Sequence, residues 1–461
     1  MLGEGWILIM KEICCIKNRI LALLLVVACC FSFFSCNIPF INSNNDQGDS
    51  GSPDIPSNII PDNKENNDEE SIPIFVPRSD DDKLTSGRYV KVSDVPANYI
   101  VSSANGSVTL SYKAPQISIG GIPDPAYNDG KFYRMNYLLS QNEGGNYYAN
   151  HINKNVQTNN WHTSGGTIRF RTNAESITIT ATMQNAIATG DRFTLRGVAG
   201  FDVYVGTGTD RQYVGGRMQT FTSTSMVEET ITLPYGVEGY NEVLINMPLY
   251  CGISNITITF PEDALIASPL SRDLSYPILF YGSSITQGAC ASRPGLAYTN
   301  MVCRMLNADC RNLGYSEGAY GEAEMIAYIA NERMSAFVMD YDHNATLSGL
   351  EETHFKLYKA VRDAHPDIPI VMLSRPVFTA IPDFAVGDED AERIAVVKAT
   401  YEAALAAGDE NVYFINGYES YFPMMEMADL YTSDMRHPND VGMYYMGITV
   451  YKTLSEALKT D

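Results

Sequence analysis

Near residue 275 the chain changes the rhythm of its apolar residues, and a single sheet or bundle cannot accommodate both rhythms. Over residues 84–265, short runs alternate apolar and polar side chains. Examples are Val108-Thr109-Leu110-Ser111-Tyr112, Thr167-Ile168-Arg169-Phe170-Arg171, Ser176-Ile177-Thr178-Ile179-Thr180-Ala181 and Asn255-Ile256-Thr257-Ile258-Thr259-Phe260. Successive side chains of a strand point to opposite faces, so a period of two predicts half-buried antiparallel strands. We expect a β-sandwich of jelly-roll type there. Over residues 275–461, apolar runs alternate with helical periods instead. Strands are predicted at 277–281, 336–340, 370–373 and 411–415, and helices at 297–306, 350–365, 390–407 and 440–458. That alternation predicts an α/β three-layer domain with a parallel sheet covered on both faces. A chain of 461 residues is long enough for both, with sequence to spare.

The spare sequence lies at the N-terminus. Lys11, Lys17 and Arg19 precede an apolar run from Ile20 to Phe34. This is the layout of an export signal, too short for a confident membrane span. Ser35-Cys36 resembles a lipobox, which predicts a lipoprotein signal over 1–36 with Cys36 lipidated. Val26-Val27-Ala28-Cys29 is the competing site. Residues 37–83, rich in Asn, Ser, Pro, Asp and Glu, predict a disordered acidic tether. The expected location is outside the cytoplasm, lipid-anchored to a bacterial cell envelope, with the lipid as the only membrane contact.

The formal net charge of -22 excludes nucleic acid as a natural partner, because phosphate binding needs excess Lys and Arg. Of nine cysteines, only Cys251, Cys290, Cys303 and Cys310 lie in globular sequence, and their pairing cannot be read from spacing. With no Cys-x-x-Cys and no His-x-x-x-His, neither a metal nor another cofactor is expected.

Two segments carry the chemistry. In Gly282-Ser283-Ser284-Ile285-Thr286, a serine stands in the turn at the carboxyl end of a buried strand. Ligands of open α/β sheets bind at that end, and the turn can offer its own N–H to an oxyanion. In Asp434-Met435-Arg436-His437-Pro438, an Asp three residues before a His can orient its ring. The chain order Ser, Asp, His is compatible with a triad.

These segments resemble the first and last blocks of the SGNH/GDSL hydrolase family. Asp340-Tyr341-Asp342-His343-Asn344 resembles its third block, and Asn312-Leu313-Gly314-Tyr315-Ser316-Glu317-Gly318, more loosely, its second. The resemblance implies a serine esterase with Ser284 as nucleophile, His437 as base and Asp434 as its partner. It implies an oxyanion hole from the N–H of Ser284, the Asn344 amide and a second-block N–H, that of Gly318 or of Glu317. Gly200-Phe201-Asp202-Val203-Tyr204 and Asn246-Met247-Pro248-Leu249-Tyr250 resemble a β-rich domain found before bacterial SGNH hydrolase domains. The whole arrangement is similar to carbohydrate esterase family two, which implies an acetylated carbohydrate as substrate. A lipid or thioester acylhydrolase, and a non-catalytic glycan-binding lipoprotein, are the competing functions. His151, His162, His354 and His365 read as structural, and His343 either as structural or as orienting Asn344. Arg293-Pro294-Gly295 reads equally as a turn and as pocket lining, and Arg436 either lowers the pKa of His437 or points to solvent.

Overall fold

The computed structural model describes residues 88–135, 152–184, 192–216, 226–234, 239–379 and 389–459, all within the unit Ile72–Asp461. The expected signal, Cys36, the tether and His151 lie outside the described residues.

Residues 90–267 form two antiparallel sheets. One sheet has the spatial order Ile100–Ala104, Ser107–Ser111, Ile253–Pro261, Ser176–Met183, Met226–Thr232. The other runs Val90–Lys91, Leu265–Ala267, Thr167–Thr172, Asn241–Asn246, Asp202–Val205, Gln212–Gly215, with Ser118–Gly120 also on Thr167–Thr172. Ile177, Ile179, Ala181 and Met183 of one sheet and Ile168, Phe170, Val243 and Ile245 of the other share a single core, so the sheets form a sandwich.

The two sheets differ on their outer faces. Ser176–Met183 alternates buried and half-buried residues, as a solvated outer face requires. Asn241–Asn246 and Asp202–Val205 are buried at every position. Their outer face lies against the parallel region, so its polar residues must be paired there. Arg169 Nη2 meets Glu242 Oε1 at 2.9 Å. Asp202 is fully buried; its Oδ2 accepts from Arg293 Nη1 and the Gly295 N–H, both at 2.7 Å, and its Oδ1 from Asn246 Nδ2 at 2.7 Å. Arg293-Pro294-Gly295 is therefore a turn pinned to the sandwich, and it does not line the cavity described below.

The parallel sheet has the order Cys310–Gly314, Ile278–Gly282, Ala336–Asp340, Ile370–Leu373, Val412–Ile415. Ile278 and Phe280 face a core shared with Tyr298, Met301, Met446 and Val450, whereas Leu279 and Tyr281 face one shared with Tyr328, Leu357 and Val397. Helices thus cover both faces. The predicted strands and helices are present, with ends shifted by up to three residues, as at Leu347–Ala364, where Thr346 caps the N-terminus. Cys310–Gly314 and the helix Ala323–Asn331 add a unit that the apolar pattern did not reveal. The strand order is 2-1-3-4-5, which places the switch point between Ile278–Gly282 and Ala336–Asp340. Among the described residues no helix is long and apolar enough to cross a membrane.

Candidate active site

The switch point holds the sequence-predicted serine. Ile278–Gly282 is wholly buried and ends at Gly282, where a Cβ would collide with Thr286 Oγ1 and the Asp340 carbonyl. The next residue, Ser283, turns its side chain inward as a cap, its Oγ accepting from the Ile285 N–H at 3.2 Å. Ser284 then opens the short helix Ser284–Gln287, which Gly288 closes at φ 106°. Thr286 Oγ1 and Tyr298 OH both donate to Asp340 Oδ2 at 2.7 Å, fastening this helix to the neighbouring strand. Burial pushes the Asp340 carboxyl up to about 7, against those two bonds.

His437 reaches Ser284 from the far end of the chain. The segment 432–438 folds back on itself: Thr432 and Pro438 form an isolated bridge, and Ser433 N–H and Thr432 Oγ1 donate to the His437 carbonyl at 3.0 and 2.8 Å. Met435 takes φ 62° at the tip. In this turn Asp434 Oδ1 accepts the backbone N–H of His437 at 2.7 Å and that of Arg436 at 3.1 Å, while Oδ2 faces His437 Nδ1 at 2.8 Å. The opposite ring nitrogen, Nε2, lies 2.9 Å from Ser284 Oγ. Ser284, His437 and Asp434 therefore form one hydrogen-bonded chain.

Arg192 of the antiparallel region adds a fourth member, donating from Nη1 to Asp434 Oδ2 at 2.6 Å. Burial tends to raise the Asp434 carboxyl, but bonds from the His437 backbone and ring, followed by Arg192, hold it down at about 2. For His437, burial is the largest influence and lowers its pKa; Asp434 raises it, and Arg192 and Arg436 lower it. The ring is therefore neutral and able to accept a proton near pH 7. Arg436 does both things expected of it, lying exposed and depressing the His437 pKa.

A cavity of about 760 Å³ opens over Ser284. Its hydrolase-side lining includes Ser316, Glu317, His343 and Asn344, and its sandwich-side lining includes Asn155, Asn159, Trp161, His162, Phe193 and Tyr250. Asn344 Oδ1 accepts the Ala319 N–H at 3.3 Å, which fixes the amide's orientation and leaves Nδ2 for the cavity. That bond comes from Ala319, and among the described residues no hydrogen bond joins His343 to the amide. Burial holds the His343 pKa well below the usual range, and its Nε2 has no hydrogen-bond partner among the described residues.

In the second block the two candidate donors differ in their surroundings. Gly318 N–H donates to the Tyr315 carbonyl at 2.9 Å and is already committed. Ser316 N–H donates to Gln287 Oε1 at 2.9 Å. The N–H of Glu317, at φ 55°, has no such bond among the described residues.

His162, His354 and Cys290 are all buried. His162 lines the cavity and faces Gln287 Nε2 through Nδ1 at 3.0 Å. Burial lowers its pKa to about 3, so it is a neutral acceptor. His354, read as structural, is buried against Thr400 and Tyr341. Cys290 is buried, as are Cys251, Cys303 and Cys310, and no disulfide joins these four to one another. Among the described residues no group of three or more His, Cys, Asp or Glu is placed to hold a metal ion.

A parallel 2-1-3-4-5 sheet with a serine, a histidine and an asparagine over its switch point defines a hydrolase of the SGNH class. Residues 275–454 match the GDSL-like lipase/acylhydrolase family, and residues 146–266 match the family described as the N-terminus of SGNH-hydrolase-type esterases. The region 275–454 is thus a GDSL-like acylhydrolase domain, and the protein is an esterase. A solved structure from Bacteroides ovatus, described as GDSL-like lipase, is 22% identical with a TM-score of 0.62, covering 77% of this chain and 98% of that one. A salicylyl-acyltransferase from a tetracycline biosynthetic pathway is 18% identical with a TM-score of 0.61, covering 78% and 99%. An active-site mutant of a family two carbohydrate esterase from Clostridium thermocellum aligns at 16% identity and a TM-score of 0.45, over 64% and 93%. The first two likenesses concern the fold. No curated protein matches the chain.

Proposed function

We propose that the protein removes O-acetyl groups from carbohydrate through a Ser284-His437-Asp434 triad. The observation that carries the reading is the chain of bonds from Ser284 Oγ to His437 Nε2 at 2.9 Å and from Nδ1 to Asp434 at 2.8 Å. Ser284 Oγ attacks the ester carbonyl carbon while its proton passes to His437 Nε2. The carbonyl oxygen, now negative, accepts from the N–H groups of Ser284 and Glu317 and from Asn344 Nδ2. The C–O bond to the alcohol breaks, and His437 returns the proton to that oxygen. Water then attacks the acyl-enzyme, giving its proton to His437, and Ser284 is released with the acid. Asp434 holds the ring orientation and stabilises the imidazolium.

The carbohydrate part of the reading is supported by the far wall of the cavity. There the indole of Trp161, half-exposed, stands among the amides of Asn155 and Asn159 and the hydroxyl of Thr158. Alternating apolar ring faces and equatorial hydroxyls suit a mixed aromatic and amide surface. Export and lipidation at Cys36 belong to the same proposal, since they would bring the enzyme to extracellular glycans.

Ser284→Ala is expected to abolish hydrolysis of p-nitrophenyl acetate, and a variant that kept the wild-type rate would overturn the triad. Acetate release across a panel of acetylated glycans tests the substrate. A preference for long acyl chains in a series of nitrophenyl esters would favour a lipid acylhydrolase instead.

A further inference from the structure

In the turn Ser316–Gly318, all three backbone carbonyls are held by asparagines of the antiparallel region. Asn159 Nδ2 donates to the Ser316 carbonyl at 3.1 Å, Asn155 Nδ2 to that of Glu317 at 2.6 Å, and Asn153 Nδ2 to that of Gly318 at 2.8 Å. These side chains come from one short helix and its cap. Asn153 caps the helix Lys154–Asn159, with its Oδ1 accepting the Val156 N–H at 3.0 Å. Asn155 and Asn159 stand four apart and so share one face. The helix is anchored in turn, because Arg134, fully buried, donates from Nη2 to the Asn159 carbonyl at 2.8 Å and from Nη1 to the Gly314 carbonyl.

The N–H groups of the turn are constrained from the other side. Gln287, held by the Leu249 carbonyl and His162, takes the Ser316 N–H, and Tyr315 takes that of Gly318. A peptide plane is rigid, so fixing a carbonyl fixes the N–H on the opposite side of the same plane. The Ser316 carbonyl and the Glu317 N–H belong to one plane. When Asn159 draws that carbonyl toward itself, the Glu317 N–H must face the opposite way, and Glu317 and Ser284 line the same cavity. Asn155 does the same for the next plane and keeps Glu317 at its left-handed φ of 55°, a conformation that a non-glycine residue holds only when its surroundings impose it.

We propose that the asparagine row Asn153, Asn155 and Asn159 is a positioning device supplied by the sandwich, which preorganises the Glu317 N–H as an oxyanion donor. The proposal rests on the triad reading above and assigns the antiparallel region a part in the chemical step. Preorganised donors are effective because they need no reorientation as charge develops. A substrate carbonyl in the ground state draws less on such a donor than the tetrahedral oxyanion does, so the device should act on kcat more than on KM.

The test uses the full-length enzyme. Asn155→Asp preserves shape, removes the donor and sets a carboxylate against a carbonyl. Asn155→Ala with Asn159→Ala removes both central contacts. For each, kcat on p-nitrophenyl acetate is expected to fall about 10- to 100-fold, with KM changing little. The inhibition constant for phenylboronic acid, which forms a tetrahedral adduct on the serine, should rise by the same factor. Circular dichroism establishes folding, and if the double variant is unfolded the isosteric Asn155→Asp decides alone. An unchanged kcat, or a loss confined to KM with boronate affinity intact, overturns the proposal. Ser284→Ala separates the two readings. If it is inactive while the asparagine variants keep wild-type kcat, only the positioning role fails; if it is active, both fail.

Discussion

The two walls of the cavity are built from the same classes of residue and do different work. The hydrolase wall presents the atoms to which the proposed mechanism assigns the reaction, those of Ser284, His437 and Asn344, all of which line the cavity. The sandwich wall largely presents atoms that hold other atoms. Arg192 grips a carboxylate, His162 grips Gln287, and Asn155 and Asn159 grip carbonyls. The difference teaches that a β-sandwich placed before an enzyme domain is not necessarily an appended module. Here it supplies supports that the hydrolase loops do not supply for themselves.

That comparison breaks or sharpens at one carboxylate that both walls share. Asp434→Asn removes the charge facing His437 Nδ1 and leaves the fold of the turn largely in place. It is expected to lower kcat by about ten-thousand-fold, the scale of losing the ring's orientation and ion pairing in a triad. Single-turnover kinetics with a nitrophenyl ester would measure it. A loss under tenfold would move Asp434 from the hydrolase wall's machinery to a purely structural role.

The seam between the walls gives the next effect, on stability rather than rate. Asp202→Ala leaves Arg293 and Asn246 without their buried partner. Breaking a buried pair from one side costs about 3–5 kcal/mol. The midpoint of urea unfolding should fall accordingly, whereas Thr178→Ala, on the exposed face of the other sheet, should leave it nearly unchanged. Equal effects would mean that the two sheets do not differ as their burial indicates.

Much of this was legible in the sequence, and its limits have a physical basis. Period-two alternation and the strand–helix rhythm report local burial, so both kinds of sheet could be read directly. The segments around Ser284 and His437 could be read because each is a local turn whose chemistry lies within a few residues. Cys310–Gly314 escaped because Arg311 and Asn312 look like loop residues yet are buried. Arg311 is there paired with Glu332, and Asn312 donates to the Thr286 carbonyl. Asp202, Arg169 and Glu242 look like ordinary outer-face residues of a strand, and nothing local shows that this face is covered. Asn155 and Glu317 are 162 positions apart, and Arg192 and Asp434 are 242 apart. Gly318 and Glu317 could not be told apart in the sequence for a related reason: which N–H of a turn stays uncommitted depends on the partners of its neighbours, and for Ser316 that partner is Gln287.

The smallest expected effect tests the sandwich wall's electrostatic share. General-base catalysis requires neutral His437, so kcat/KM should rise with pH through the pKa of that ring. Burial places this pKa below the usual histidine value, and Arg192 lowers it further. Arg192→Ala removes a positive charge, so the ring protonates more readily and the acidic limb of the pH–rate profile moves to higher pH. The side chain of Arg192 is 45% exposed, so solvent and salt screen its charge. The shift should therefore be only about a few tenths of a pH unit at physiological ionic strength, and smaller still in 1 M salt. Arg192→Lys should restore the limb, since it returns the charge without the same hydrogen-bond geometry. If the limb moves to lower pH, or if the plateau rate falls far more than the limb shifts, Arg192 acts by shaping the turn at Asp434 rather than through its charge.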